Sequence, residues 1–169
     1  MVAFGYTFSE VAGYTIEVQQ QQELWRTDAP PTAGFRVIPV NGSEGEIVKS
    51  GGMTVACGIS VTGSLEDDVR RHLADYGDCT ISALLLIQPD RDLGRGVLET
   101  GRDVVALARG VKDLLRPFVK RWSATRLLLY YFGPLSGACF IGHQLNAVCR
   151  EVQIMEDQQP GYAPAFLLS

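Results

Sequence analysis

Apolar and polar positions divide the chain into an irregular first third and a regular remainder. Thr54–Val61, Thr80–Ile87 and Arg126–Phe132 are nearly continuous apolar runs. They lack the alternation of a half-exposed strand, so they predict strands covered on both faces. Helical patterns separate them. After Thr62-Gly63-Ser64, the residues Leu65, Val69, Leu73 and Tyr76 recur on one face, with His72 among them. Ser64 is placed to cap this helix, with Asp67 three residues on. From Asp103, the residues Val104, Leu107, Ala108, Val111, Leu114, Leu115 and Phe118 recur at about 100° per residue. Pro117 is expected to end or bend that helix. Gly133–Gly137 turns the chain into a third helix, expected to reach about Cys149. Val152–Glu156 and Tyr162–Leu168 read as further strands. Strand–helix alternation with short connections predicts an α/β fold, a Rossmannoid, mainly parallel sheet with helices on both faces.

The first fifty-three residues give weaker signals. Tyr14–Val18 alternates as a strand does, and Gln19–Gln22 is a polar run. Pro30-Pro31 interrupts any regular element. Phe35–Val40 predicts an edge strand, because Pro39 has no N–H to give a central ladder. Asn41–Gly52 reads as a loop opened by an Asn-Gly turn. The expected organisation is therefore residues 1–53, strands and loops completing or flanking the sheet, and a core over 54–169.

A length of 169 residues suits a single domain. With 46% hydrophobic and 20% charged residues, the composition is that of a folded chain. A net charge of −4 and a pI near 5.1 argue against a surface that tracks long nucleic acid. No apolar run approaches the roughly 18 residues that span a bilayer. Met1–Glu10 has no basic segment leading into an apolar one, so it does not read as a signal peptide. Cys57, Cys79, Cys139 and Cys149 contain no C-x-x-C pair and are expected as reduced core residues of a cytoplasmic protein.

Open parallel sheets bind ligands beyond the carboxyl ends of their strands, where free N–H groups of helix starts favour phosphate. Two segments fit: Ser60-Val61-Thr62-Gly63-Ser64 and Phe132-Gly133-Pro134-Leu135-Ser136. The ring of Phe132 offers a stacking surface for a base. Helix capping and turn formation account for the same serines and glycines without a ligand. Enzyme motifs are missing. There is no phosphate-binding G-x-x-x-x-G-K-[ST], no dinucleotide fingerprint at Gly94-Arg95-Gly96 and no nucleophile elbow. His72 and His143 have no ligand partners at zinc spacing, and Asp90 and Asp92 lack the further oxygens a metal needs. No catalytic residue, metal or cofactor is expected. Arg102, Arg109, Lys112, Arg116 and Lys120 form a stripe opposite the apolar face of the long helix, either a solvated face or a docking surface.

From Thr54 to Leu168 the chain resembles the SAVED domain family, sensor domains of bacterial anti-phage signalling in CBASS and type III CRISPR systems. The features carrying the resemblance follow in order. They are the strand ending in Ser60-Val61-Thr62-Gly63-Ser64, then Leu127–Pro134, then Ala138–Asn146, then Val152–Glu156 and Gly161–Phe166. The resemblance implies a CARF-like Rossmannoid fold that binds a cyclic oligonucleotide such as a cyclic oligoadenylate. It also implies signalling to an effector module on the same or another chain, with ligand-driven assembly into a head-to-tail homo-oligomer. Matched onto this sequence, the ligand-binding positions are Ser60, Thr62, Gly63 and Ser64 with Phe132, Gly133, Pro134, Leu135 and Ser136. Trp25, Arg26, Gln88 and Arg91 are possible additional contacts. Two alternatives stay open. One is a ring nuclease in which the ligand's own 2′-hydroxyl attacks near Ser136, His143 or Lys49. The other is a structural assembly subunit using the basic stripe. No effector motif is visible, so the output is expected in another polypeptide or in a segment beyond this one.

Overall fold

A computed structural model describes residues 1–20, 22–49, 51–76 and 80–169. Gln21 of the polar run and Cys79, expected as a core thiol, lie outside the described residues.

The regular part of the chain forms the elements its pattern predicts. Strand β5 (Thr54–Ser60) leads into α2 (Glu66–Asp75), β6 (Ile81–Pro89), α3 (Gly101–Arg121), β7 (Arg126–Phe132), α4 (Leu135–Gln144), β8 (Glu151–Asp157) and β9 (Tyr162–Leu168). The four strands β6-β5-β7-β8 are parallel neighbours at the centre of one sheet. Antiparallel β9 closes one side, and β3 (Val37–Pro39) forms the other edge on β6. The short β4 (Glu46–Ile47) also pairs with β6. Two further elements lie outside the sheet: α1 (Val2–Thr7) and the hairpin β1 (Glu17–Gln20)–β2 (Glu23–Arg26).

Alternate residues of the central strands serve two cores. Val55, Cys57, Ile59, Leu127 and Leu129 pack with α3 and α4, whereas Ala56, Leu84, Leu86, Leu128 and Tyr130 pack with Val69 and Leu73 of α2 and with Leu65, its N-cap. Helices on both faces are what continuous apolar strands require.

Several boundaries differ from those the sequence predicts. Helix α3 continues through Pro117 to Arg121. Pro117 and Asp113 are both exposed, so the carbonyl deprived of its helical partner sits on the solvent side and water can serve it. A capping box fixes the other end, with Thr100 Oγ1 accepting from the Asp103 N–H while the Asp103 carboxylate accepts from Thr100 N–H. Helix α4 stops at Gln144, not near Cys149, because the chain reverses toward β8 through Ala147 at φ 62°. Helix α2 starts at Glu66, with Ser64 Oγ accepting from the Glu66 N–H. The strand expected over Tyr14–Val18 falls at Glu17–Gln20, extending into the polar run. A second polar strand and α1 were not legible at all. Within the expected loop over Asn41–Gly52, Asn41 accepts from the Leu86 N–H and donates to the Leu84 carbonyl, which lays β4 against β6.

Candidate functional site

In the order β6-β5-β7-β8 the chain leaves β5 first to one side, to β6, and later to the other, to β7. Open α/β sheets place their ligand crevice at such a reversal, here beyond the carboxyl ends of β5 and β7. The two segments singled out in the sequence meet there. Ser60 and Phe132 are register partners, and the N–H groups of Val61 and Thr62 both donate to the Phe132 carbonyl, at 2.8 and 3.2 Å. A third segment joins them, as Gly94 N–H donates to the Val61 carbonyl at 3.2 Å.

Each residue has a definable place. Ser60 is buried and its Oγ accepts from the Leu65 N–H, so its hydroxyl orients the turn into α2. Thr62 is half-buried at the crevice. Gly63 lies under the Phe132 ring; a Cβ there would stand 2.7 Å from Phe132 Cε1. Phe132 is 51% exposed and Leu135 71% exposed, so both present apolar surface at this end of the sheet. Gly133 and Gly137 leave room for the Tyr131 phenol, which donates to the Pro134 carbonyl at 2.9 Å and fixes the entry into α4. Burial pushes the Tyr131 phenol pKa well up, so it stays a donor. Pro134 is the N-cap of α4, and no side chain caps the helix, leaving its first N–H groups available. Ser136 is buried, and its Oγ has no hydrogen-bond partner among the described residues.

Of the four additional contacts, the structure brings Trp25 to a cleft shared with Pro134 and does not gather Arg26, Gln88 and Arg91 there. Trp25 is buried against Gly101 of α3, and its indole N–H donates to Glu23 Oε2 at 3.1 Å. Arg26 is held by Asp28 and Glu17 on the hairpin. Gln88 lies within β6 opposite Ile38. The Arg91 guanidinium stacks on Phe35, 4.5 Å from the ring centroid. Sequence reasoning named Trp25 and Arg26 of the hairpin and missed its polar neighbours and the 96–99 segment. Gln20, Gln22, Glu23, Arg95, Leu98 and Glu99, with Trp25 and Pro134, line a cleft of about 720 Å³ that reaches the α4 entry. The signal available was the polar run beside Trp25, which alone has no direction.

The nucleophile candidates are separated. His143 lies at the far end of α4, with Nε2 2.8 Å from the Tyr14 carbonyl and Nδ1 facing the Gln144 amide. Lys49 follows β4, where its N–H donates to Ile81 at the start of β6, the opposite end of the sheet from the crevice. Burial raises the Cys139 thiol, so this buried residue is a core group. In the basic stripe, Lys112 is bound by Glu10 and Gln144 and Arg102 by the Pro30 carbonyl; Arg109, Arg116 and Lys120 are exposed.

A second cavity, about 560 Å³, lies beside α2. It is lined by Asp68, Asp75 and Asp157 with Arg71, His72 and Tyr162. Burial lowers the His72 pKa, with Asp75 opposing, and Arg71 is spent on Asp68. Burial and the nearby Asp157 and Asp68 raise the Tyr162 phenol. The lining is thus net negative, an environment that repels phosphate.

No curated protein matches the chain. Among solved structures, the Cap4 SAVED/CARF-domain receptor of Acinetobacter baumannii with the cyclic trinucleotide 3'3'3'-cAAA is similar, with TM-score 0.76 and 19% identity over 96% of this chain. The Cap4 receptor of Moraxella osloensis is similar too, with TM-score 0.73 and 20% identity over 98% of this chain. The chain spans about a third of those proteins, 34% and 33% of their lengths. The profile of the SMODS-associated and fused to various effectors sensor domain, SAVED, matches residues 1–168, including the amino-terminal stretch that the sequence motifs left unplaced. This chain therefore belongs to the SAVED family of sensor domains.

Proposed function

We propose that the crevice at the ends of β5 and β7 binds a cyclic oligonucleotide, of the cyclic triadenylate class seen with the Acinetobacter receptor. The observation carrying this reading is the convergence of both loops on the Phe132 carbonyl at the topological reversal, beside an uncapped helix start. The free N–H groups of α4 suit a phosphate, and the partnerless Ser136 hydroxyl supplies one more donor if the entry opens. The exposed Phe132 ring offers a base a face to stack on. Thr62 and Ser64 border the ring of the ligand. Binding does no chemistry; occupancy shifts a conformational or assembly equilibrium read by an effector module on the same or another chain. Nothing in the arrangement favours ring cleavage, since His143 and Lys49 stand away from Ser136.

Calorimetric titration with cyclic di-, tri- and tetranucleotides tests the reading. At least one ring is expected to bind in the micromolar range or tighter. Absence of heat for every ring at about 50 µM overturns it. Chromatography of the ligand after long incubation checks the sensor role, and it should be recovered intact.

A further inference from the structure

We propose that residues 2–14 form a strap that pins the far end of α4, and that a ligand at the start of α4 releases it. This rests on the crevice binding a cyclic oligonucleotide, and it assigns the conformational shift to one segment of the chain. Two observations meet on α4. At its start, Ser136 is 3% exposed and its Oγ has no hydrogen-bond partner among the described residues. A buried hydroxyl without a partner is unfavourable, so this arrangement of the helix start leaves a donor unspent. Because Ser136 is buried, a phosphate meets its hydroxyl only if the first turn of α4 shifts.

At its far end, α4 is held from two sides. Helix α1 packs so closely that a Cβ on Gly5 would meet the Cys139 carbonyl oxygen at 1.9 Å. A Cβ on Gly142 would meet the Val2 carbonyl oxygen at 2.1 Å. Polar groups then fasten the segment that follows α1. Glu10 N–H donates to the His143 carbonyl at 3.1 Å, and His143 Nε2 donates to the Tyr14 carbonyl at 2.8 Å. Asn146 Nδ2 donates to Ser9 Oγ at 3.1 Å. Lys112 Nζ donates to Glu10 Oε2 at 3.2 Å and to Gln144 Oε1 at 2.8 Å. Phe4, Phe8 and Tyr14 meet ring to ring at 4.9 and 5.3 Å, so the strap behaves as one unit. The ten residues of α4 are a stiff rod about 15 Å long. A shift at Ser136 is therefore carried to His143 and Gln144, where these bonds resist it. Coupling of this kind is reciprocal: whatever loosens the strap strengthens ligand binding, and the ligand loosens the strap.

Hydrogen exchange of the wild-type chain, with and without saturating cyclic di-, tri- or tetraadenylate, reads the strap directly. With a ring bound, amides of residues 4–14 should exchange at least about 5-fold faster, while those of 60–64 and 132–137 slow. Calorimetry reads the reverse coupling. Glu10→Ala with Asn146→Ala removes two fastenings and leaves the crevice loops untouched, and it should tighten ring binding about 5-fold. A thermal melt shows whether that variant is folded; if it is not, the wild-type exchange measurement decides alone. Unchanged or slowed exchange at 4–14 while the crevice loops slow, or a folded variant that binds no tighter, overturns the strap and leaves the crevice intact. Absence of both heat and protection with every ring overturns the two together.

Discussion

The two faces of the central sheet are built from the same strands, yet they carry different amounts of structure. On one face lie the 21-residue α3 and, across it, α4 with α1. The α1–α4 contact is close enough that a Cβ on Gly142 would collide with the Val2 carbonyl. The other face carries the 10-residue α2 and a cluster in which His72, Tyr130 and Tyr162 meet edge to face. The cavities follow this asymmetry. The 720 Å³ cleft is walled by neutral amides and one arginine beside two glutamates, and it reaches Pro134 at the start of α4. The 560 Å³ cavity on the α2 side is ringed by three aspartates. Both linings are net negative, the cleft by two glutamates against Arg95 and the α2-side cavity by three aspartates against Arg71, and the cleft alone borders Pro134 at the start of α4.

Removing the same side chain from each face tests the asymmetry. Leu107→Ala in α3, where Leu107 is wholly buried, should destabilise by about 4 kcal/mol, and Leu73→Ala in α2 by about 2 kcal/mol. Urea unfolding measures both, and equal losses would break the comparison.

At the crevice, Phe132→Ala should weaken ring binding roughly 10- to 100-fold by removing a stacking surface. Gly63→Val should do likewise by displacing that ring, with little change in unfolding midpoint. Calorimetry and urea melts together separate the effects.

A smaller effect concerns pH. The folded protein holds the His72 pKa below its ordinary 6.5, chiefly through burial. The unfolded chain then takes up the proton first. Stability is full above about 6.5 and falls as pH drops toward the depressed folded value. Unfolding midpoints compared at about pH 7.5 and 5.5 should show this loss, and His72→Phe should shrink it.

The smallest expected change is at the acidic cavity. Asp68→Asn with Asp157→Asn should leave cyclic-oligonucleotide affinity within about two-fold, since both charges line the α2-side cavity and not the loops that end β5 and β7. A larger gain in affinity would mean that the ligand senses the α2 side.

The two loops that end β5 and β7 were legible because they end strongly patterned elements. Ser60 and Phe132 each close an apolar run, and small residues follow both. The hairpin was not legible. Its four-residue strands are mostly exposed, so no hydrophobic alternation marks them, and Glu23 and Gln22 read as generic polar loop. Glu99 was hidden in the same way, as one charge in a long connection whose path is set by Val97 and Leu98 packing into the core. The positions read as extra contacts, Arg26 and Arg91, acquire partners that only proximity in space provides.

The sequence by itself determined the parallel core, because continuous apolar strands must be covered on both faces and amphipathic helices supply the cover. It also determined the two loops that end β5 and β7. Tertiary structure alone decided that these loops lie side by side, since strand order is absent from local pattern and emerges only when the sheet assembles. It alone decided, too, that a polar hairpin far away in sequence forms the wall next to Pro134. That placement depends on Trp25 packing against Gly101, a contact between residues 76 positions apart that no periodicity encodes.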